Sequence, residues 1–120
     1  QGHVKLADFG LSKVVPSGRL THSFRGTLEY MAPEVVQRRG HDKSVDWWSL
    51  GTLFFELLHC RSPFLGRDDA ETEQNILHSR LIVSWTVKQD ANHLLIKLLK
   101  RKRSNRLGSG PEDAKEIKVY

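Results

Sequence analysis

Between Ser44 and Leu58 the apolar residues Val45, Trp47, Trp48, Leu50, Leu53, Phe54, Phe55, Leu57 and Leu58 are spaced so that they nearly encircle a helix. A helix with one apolar stripe lies on a surface, whereas one that is apolar all round is buried on most sides. This segment therefore predicts a core helix around which the rest of the chain packs. The predicted span is Ser44 to His59, with Asp42 or Ser44 placed to cap its first amides. The stretch Val45 to Leu58 carries Asp46 and Glu56 and is too short to cross a bilayer. No membrane partner is expected.

The flanking segments read as smaller helices and loops. His3-Val4-Lys5-Leu6 alternates in polarity and predicts a short strand. Residues 11–30 hold Pro16, Ser17, Gly18 and Gly26 with no helical period, which predicts a long loop of the kind that usually carries function. A short helix is predicted after Pro33, because proline suits a first helical position, with Gly40 and His41-Asp42 breaking it. Residues 69–80 and 90–100 read as amphipathic helices, and a last short one is predicted from Asp113 to Val119. The predicted fold class is mainly α, with at most a short β-strand pair near the N-terminus.

The 120 residues suffice for one domain. The net charge of +5 permits acidic partners without demonstrating any. The single cysteine, Cys60, excludes an internal disulfide and fits a reducing, intracellular setting, cytoplasmic or nuclear. Following an apolar run, it is expected to be a buried structural thiol. The N-terminus has no apolar stretch of signal-peptide type. The histidines and the lone cysteine lack metal-ligand spacing.

Three motifs in order carry chemistry: Asp8-Phe9-Gly10, then Ala32-Pro33-Glu34, then Asp46-Trp47-Trp48-Ser49-Leu50-Gly51. The first two, at this separation, belong to the protein-kinase signature set, with a regulatory phosphosite expected between them. The chain resembles the C-terminal lobe of a eukaryotic serine/threonine protein kinase. Ser23 to Glu34 and Gly40 to Gly51 are similar to the AGC group. Leu11-Ser12-Lys13 and Arg106-Leu107-Gly108 bring it nearest the N-terminal kinase domains of mitogen- and stress-activated and ribosomal S6 kinases. The resemblance implies a partial kinase domain over residues 1–120, from the Asp8 segment to the end of an incomplete C-lobe. The N-lobe and the catalytic loop are not among these residues. The chain alone is thus expected to be inactive and, as half of a domain, marginally stable.

The resemblance also implies roles. Asp8 matches the aspartate that holds Mg²⁺ on the phosphates of ATP, a task for a hard anionic oxygen. Phe9 matches the residue that packs between the lobes, and Gly10 completes the motif. Ser23 matches the activation-loop phosphosite, with Thr21 and Ser17 as lesser candidates. Lys13 matches a basic partner for that phosphate. Thr27 matches the threonine whose hydroxyl sits by the catalytic aspartate. Glu34 and Arg106 match a buried ion pair, and Asp46 matches the helix aspartate that holds the catalytic loop. Leu53 and Leu57 match core positions beneath the adenine site. Glu56 matches a glutamate that AGC kinases set against a basic substrate residue. ATP and Mg²⁺ are the implied cofactors. Proteins with basic motifs and an upstream activating kinase are the implied partners.

Some features depart from that pattern. Arg25 stands where AGC kinases usually have cysteine. Ser79 to Lys88 lacks a proline-rich turn, and Arg103-Ser104-Asn105 replaces an acidic-proline step. A non-catalytic kinase-like interaction module, or a truncated product, is the alternative reading. The basic run Lys97 to Arg106 reads as a solvated helix end and loop. It has no interleaved aromatic residues on which bases could stack, so nucleic acid is not an expected partner.

Overall fold

A computed structural model describes residues 2–120. Its helices are α1 (Pro33–Val36), α2 (Ser44–His59), α3 (Asp69–His78), α4 (Gln89–Leu98) and α5 (Ala114–Lys118). Single 3-10 turns lie at Leu28–Tyr30 and Arg103–Asn105. Among the described residues the only β pairing is an isolated antiparallel bridge between Thr21 and His41. The architecture is mainly α.

Local chemistry sets the helix ends. The Asp42 carboxylate accepts from the Ser44 amide at 2.9 Å and from its hydroxyl at 2.6 Å, which starts α2. Cys60 ends it in the left-handed conformation, φ 54°, its N–H donating to the Glu56 carbonyl. Pro33 opens α1, and the positive φ of Arg38 and Gly40 turns the chain away after it. The Asp68 carboxylate caps α3 by accepting from the Glu71 amide at 2.8 Å. At the other end of α3, Arg101 donates to the carbonyls of Ile76, Asn75 and Ser79. A cation there complements the partial negative charge of a helix C-terminus.

The core joins α1, α2, α3 and α4 through Val35, Trp48, Phe55, Phe64, Ile76 and Leu95. Trp48 and Phe64 stack with centroids 5.2 Å apart. Each large apolar side chain so buried contributes about 1.5–3 kcal/mol. Helices α2 and α4 approach closely at Gly51, where an added Cβ would lie 2.9 Å from the Leu98 Cβ.

Several expectations are corrected. Helix α2 is buried along one face, through Ser44, Trp48, Gly51, Thr52 and Phe55. Leu53, Phe54, Leu57 and Leu58 are exposed, Leu57 by 69%. The apolar residues do encircle the helix, but these 120 residues cover only one side of it. Leu53 and Leu57 are therefore not core leucines here. Cys60 is exposed, because the left-handed cap carries it off the end of the helix. Residues 3–6 form no strand: a strand needs a partner, and Val4 and Leu6 lie open to solvent. The basic run is not uniformly solvated, since Arg106 is buried and Arg101 is held on α3.

Candidate functional site

Asp8 has a left-handed backbone, φ 62°, which a side chain other than that of Gly, Asn or Asp seldom adopts. The turn that follows is closed by the Ser12 amide and hydroxyl, which both donate to the Phe9 carbonyl, at 3.0 and 2.6 Å. Asp8 and Phe9 are both exposed. With Leu6 and Leu11 they line a cleft of about 800 Å³ whose floor is Leu50 and Leu53 of α2. Among the described residues no group of three or more His, Cys, Asp or Glu side chains is arranged to hold a metal. Asp8 shares the cleft with Asp46 and Asp113, and such a lining fits Mg²⁺, which is held by one or two carboxylates together with substrate phosphates and water.

Beside that cleft a groove of about 260 Å³ brings together Leu11, Ser23, Thr27, Tyr30 and Asp46. Thr27 is exposed and precedes the 3-10 turn Leu28–Tyr30, its carbonyl accepting from the Tyr30 amide at 3.1 Å. Asp46 projects from the first turn of α2. Although much of this residue is exposed, desolvation against the groove wall raises its carboxyl above the usual carboxylate range. The nearby Asp113 adds to that rise and His41 opposes it.

Tyr30 joins the groove to α2. Its hydroxyl donates to a Glu56 carboxylate oxygen, and its carbonyl accepts from the Ser49 hydroxyl at 2.9 Å. The bond to Glu56, then burial, then the charges of Glu56 and Glu29 push the phenol up to about 12. Glu56 is thus engaged inside the chain, through a partner that the periodicity of α2 does not reveal because Tyr30 lies outside that helix, in the 3-10 turn Leu28–Tyr30.

The activation-loop candidates separate clearly. Ser23 and Ser17 are exposed, while Thr21 is 8% exposed. Thr21 exchanges backbone bonds with His41 at 2.8 and 2.7 Å, and its hydroxyl accepts from the Lys13 ammonium at 2.9 Å. Lys13, matched to a phosphate on Ser23, here holds Thr21. Desolvation lowers the His41 imidazole below its ordinary value, against the charges of Glu34 and Asp42.

Glu34 and Arg106 meet at the start of α2. Arg106 is 1% exposed and Glu34 9%. Two parallel bonds of 2.7 and 3.0 Å join them. Arg106 also donates to the carbonyls of Ser44, Lys100 and Arg101, and its guanidinium lies over the Trp48 ring.

Comparison with known proteins shows the family. The family model described as "Protein kinase domain" matches residues 1–118. The chain is 53% identical over 120 residues to "Ribosomal protein S6 kinase alpha-6" of Danio rerio. It is 51% identical over 121 residues to "Ribosomal protein S6 kinase alpha-1" of Homo sapiens. These matches cover 99% and 100% of this chain but only 16% of either relative's length. A turn at Asp8, a loop folded against α2 and a buried Glu34–Arg106 pair thus stand in a chain that belongs to the protein kinase domain family and is similar to ribosomal S6 kinases of the AGC group.

Proposed function

We propose that this chain is part of a longer ATP-dependent serine/threonine kinase and spans its domain from the Asp8 segment to the end of the C-lobe. The observation that carries the reading is the single groove in which the loop after Asp8 meets Ser23, Thr27, Tyr30 and Asp46. In phosphoryl transfer the protein's task is largely positioning and charge stabilisation. Asp8 supplies the anionic oxygen that holds Mg²⁺ with ATP, and the ion neutralises charge on the phosphates when bound. Thr27 orients the acceptor side of the site and gives serine/threonine selectivity. Ser23 takes the activating phosphate from an upstream kinase. Asp46 holds backbone from the catalytic loop, and Phe9 packs under the opposite lobe.

Glu56 selects substrates. A carboxylate beside the peptide dock attracts a substrate arginine through charge-assisted bonds, so the substrates are proteins with basic motifs, in the cytoplasm or nucleus. Tyr30 fixes the orientation of that carboxylate. The isolated chain does not transfer phosphate, because the groups that position ATP and activate the acceptor hydroxyl lie outside it.

Replacing Asp8 by Asn in the full-length protein tests this reading. Activity should be nearly abolished with melting unchanged, because Asp8 is exposed. Activity equal to the unsubstituted protein would refute it. A full-length protein that binds partners but transfers no phosphate would favour a kinase-like interaction module instead.

A further inference from the structure

The cations Lys100-Arg101-Lys102-Arg103 lead directly into Ser104. The structure gives them different tasks. Arg101 is held on the carbonyls that end α3, and Arg103 faces Asp42 at 3.8 Å. Lys100 and Lys102 are exposed. Ser104 is exposed too, in the middle of the single 3-10 turn Arg103–Asn105. That turn is closed by backbone bonds from Asn105 to Lys102 and from Arg106 to Arg103, both 3.0 Å, which leave the Ser104 hydroxyl out. The segment is anchored on either side, by Arg101 on α3 and by Arg106 on Glu34, so the turn presents Ser104 between two fixed points. A free hydroxyl therefore stands at the surface immediately after a run of positive charge.

We propose that Ser104 is a phosphorylation site for serine/threonine kinases that choose acceptors by basic residues on their N-terminal side. Such enzymes line their peptide dock with carboxylates, and a cationic approach to the acceptor is what that lining attracts. In the transfer the Ser104 Oγ attacks the γ-phosphorus of ATP. The new Oγ–P bond forms as the bond from that phosphorus to the β,γ-bridging oxygen breaks. ADP leaves, and the hydroxyl proton passes to the attacking enzyme's carboxylate base. The product phosphate, of charge about −1.5 to −2, lies one residue from Arg103 and competes with Asp42 for its guanidinium. The enzyme acts in trans, so this site does not depend on whether the chain's own parent is a competent kinase.

The test incubates the 120-residue chain with Mg²⁺, labelled ATP and either a basic-directed or an acidic-directed serine/threonine kinase, and locates phosphate by mass spectrometry. The basic-directed enzyme should label Ser104, and Ser104→Ala should remove that label. Lys100→Ala with Lys102→Ala should slow labelling by about tenfold or more, the effect of losing hydrogen bonds to charged groups. All three side chains are exposed, so these variants should melt like the unsubstituted chain. No label on Ser104 from the basic-directed enzyme overturns the proposal. So does equal labelling by both enzymes, or an unchanged rate in the double lysine variant.

Discussion

Glu34 and Arg106, 72 residues apart in sequence, are joined by two parallel hydrogen bonds beside the Trp48 ring of α2. A guanidinium carries five N–H donors. Here each is used, two on Glu34 and one each on the carbonyls of Ser44, Lys100 and Arg101. The pair therefore ties α1, the start of α2 and the loop after α4 to one point. Removing one partner leaves the other charge buried and unpaired, which costs about 3–5 kcal/mol. Arg106→Ala and Glu34→Gln should each destabilise the chain by that order in chemical denaturation. An unchanged unfolding midpoint would show that the pair is not structural.

Tyr30 gives a pH dependence of definite sign. Its phenol is pushed up to about 12 by the bond to Glu56 and by burial. Because the folded value lies above the unfolded one, near 10, the neutral phenol stabilises the fold. That contribution is whole below about pH 10 and is lost as pH rises through about 12. Ultraviolet titration should find a late tyrosinate step that Tyr30→Phe removes and Glu56→Gln moves toward the ordinary value. A Tyr30 that titrates equally early with and without Glu56 would contradict the pairing.

In the full-length protein, Glu56→Gln should weaken peptides with arginine shortly before the acceptor by about 1.5–3 kcal/mol in transfer efficiency. Peptides lacking that arginine should be little affected. Comparing kcat/KM for the paired peptides separates selectivity from a structural role, because a structural loss would fall on both alike.

The loop chemistry gives a fourth prediction. Ser23 is exposed, whereas Thr21 is buried and bonded to Lys13. Phosphate in the active full-length protein should therefore be found on Ser23, and Ser23→Ala should lower activity. Phosphate on Thr21 alone, with Ser23→Ala fully active, would contradict it.

Gly108 provides a test of packing alone. Its φ is +86°, and an added Cβ would lie 2.5 Å from the Trp47 ring. Both the backbone strain and the clash oppose alanine there, so Gly108→Ala should destabilise by more than about 1 kcal/mol in chemical denaturation. A neutral result would mean that Trp47 does not pack on this loop.

How much of this was legible in the sequence depended on whether the determinant was local. Helix α2 runs over the predicted Ser44 to His59, because Asp42 and the apolar run are local signals. Helices α3 and α4 end at His78 and Leu98, a little before the predicted limits. The exposure of Leu53, Phe54, Leu57 and Leu58 was not legible, since a pattern shows which residues are apolar and not whether this chain covers them. The strand expected at residues 3–6 failed for the same reason, its pairing being non-local. Arg101 on α3, Lys13 on Thr21 and Tyr30 on Glu56 are meetings of residues distant in sequence that no periodicity encodes.

The most direct measurement is phosphate transfer to a basic peptide by the full-length protein, by its Asp8→Asn variant and by the isolated 120-residue chain. The account predicts turnover for the first, almost none for the second despite unchanged melting, and none above blank for the third. Asp8-dependent turnover by the isolated chain, or undiminished turnover by the Asp8→Asn protein, would contradict it.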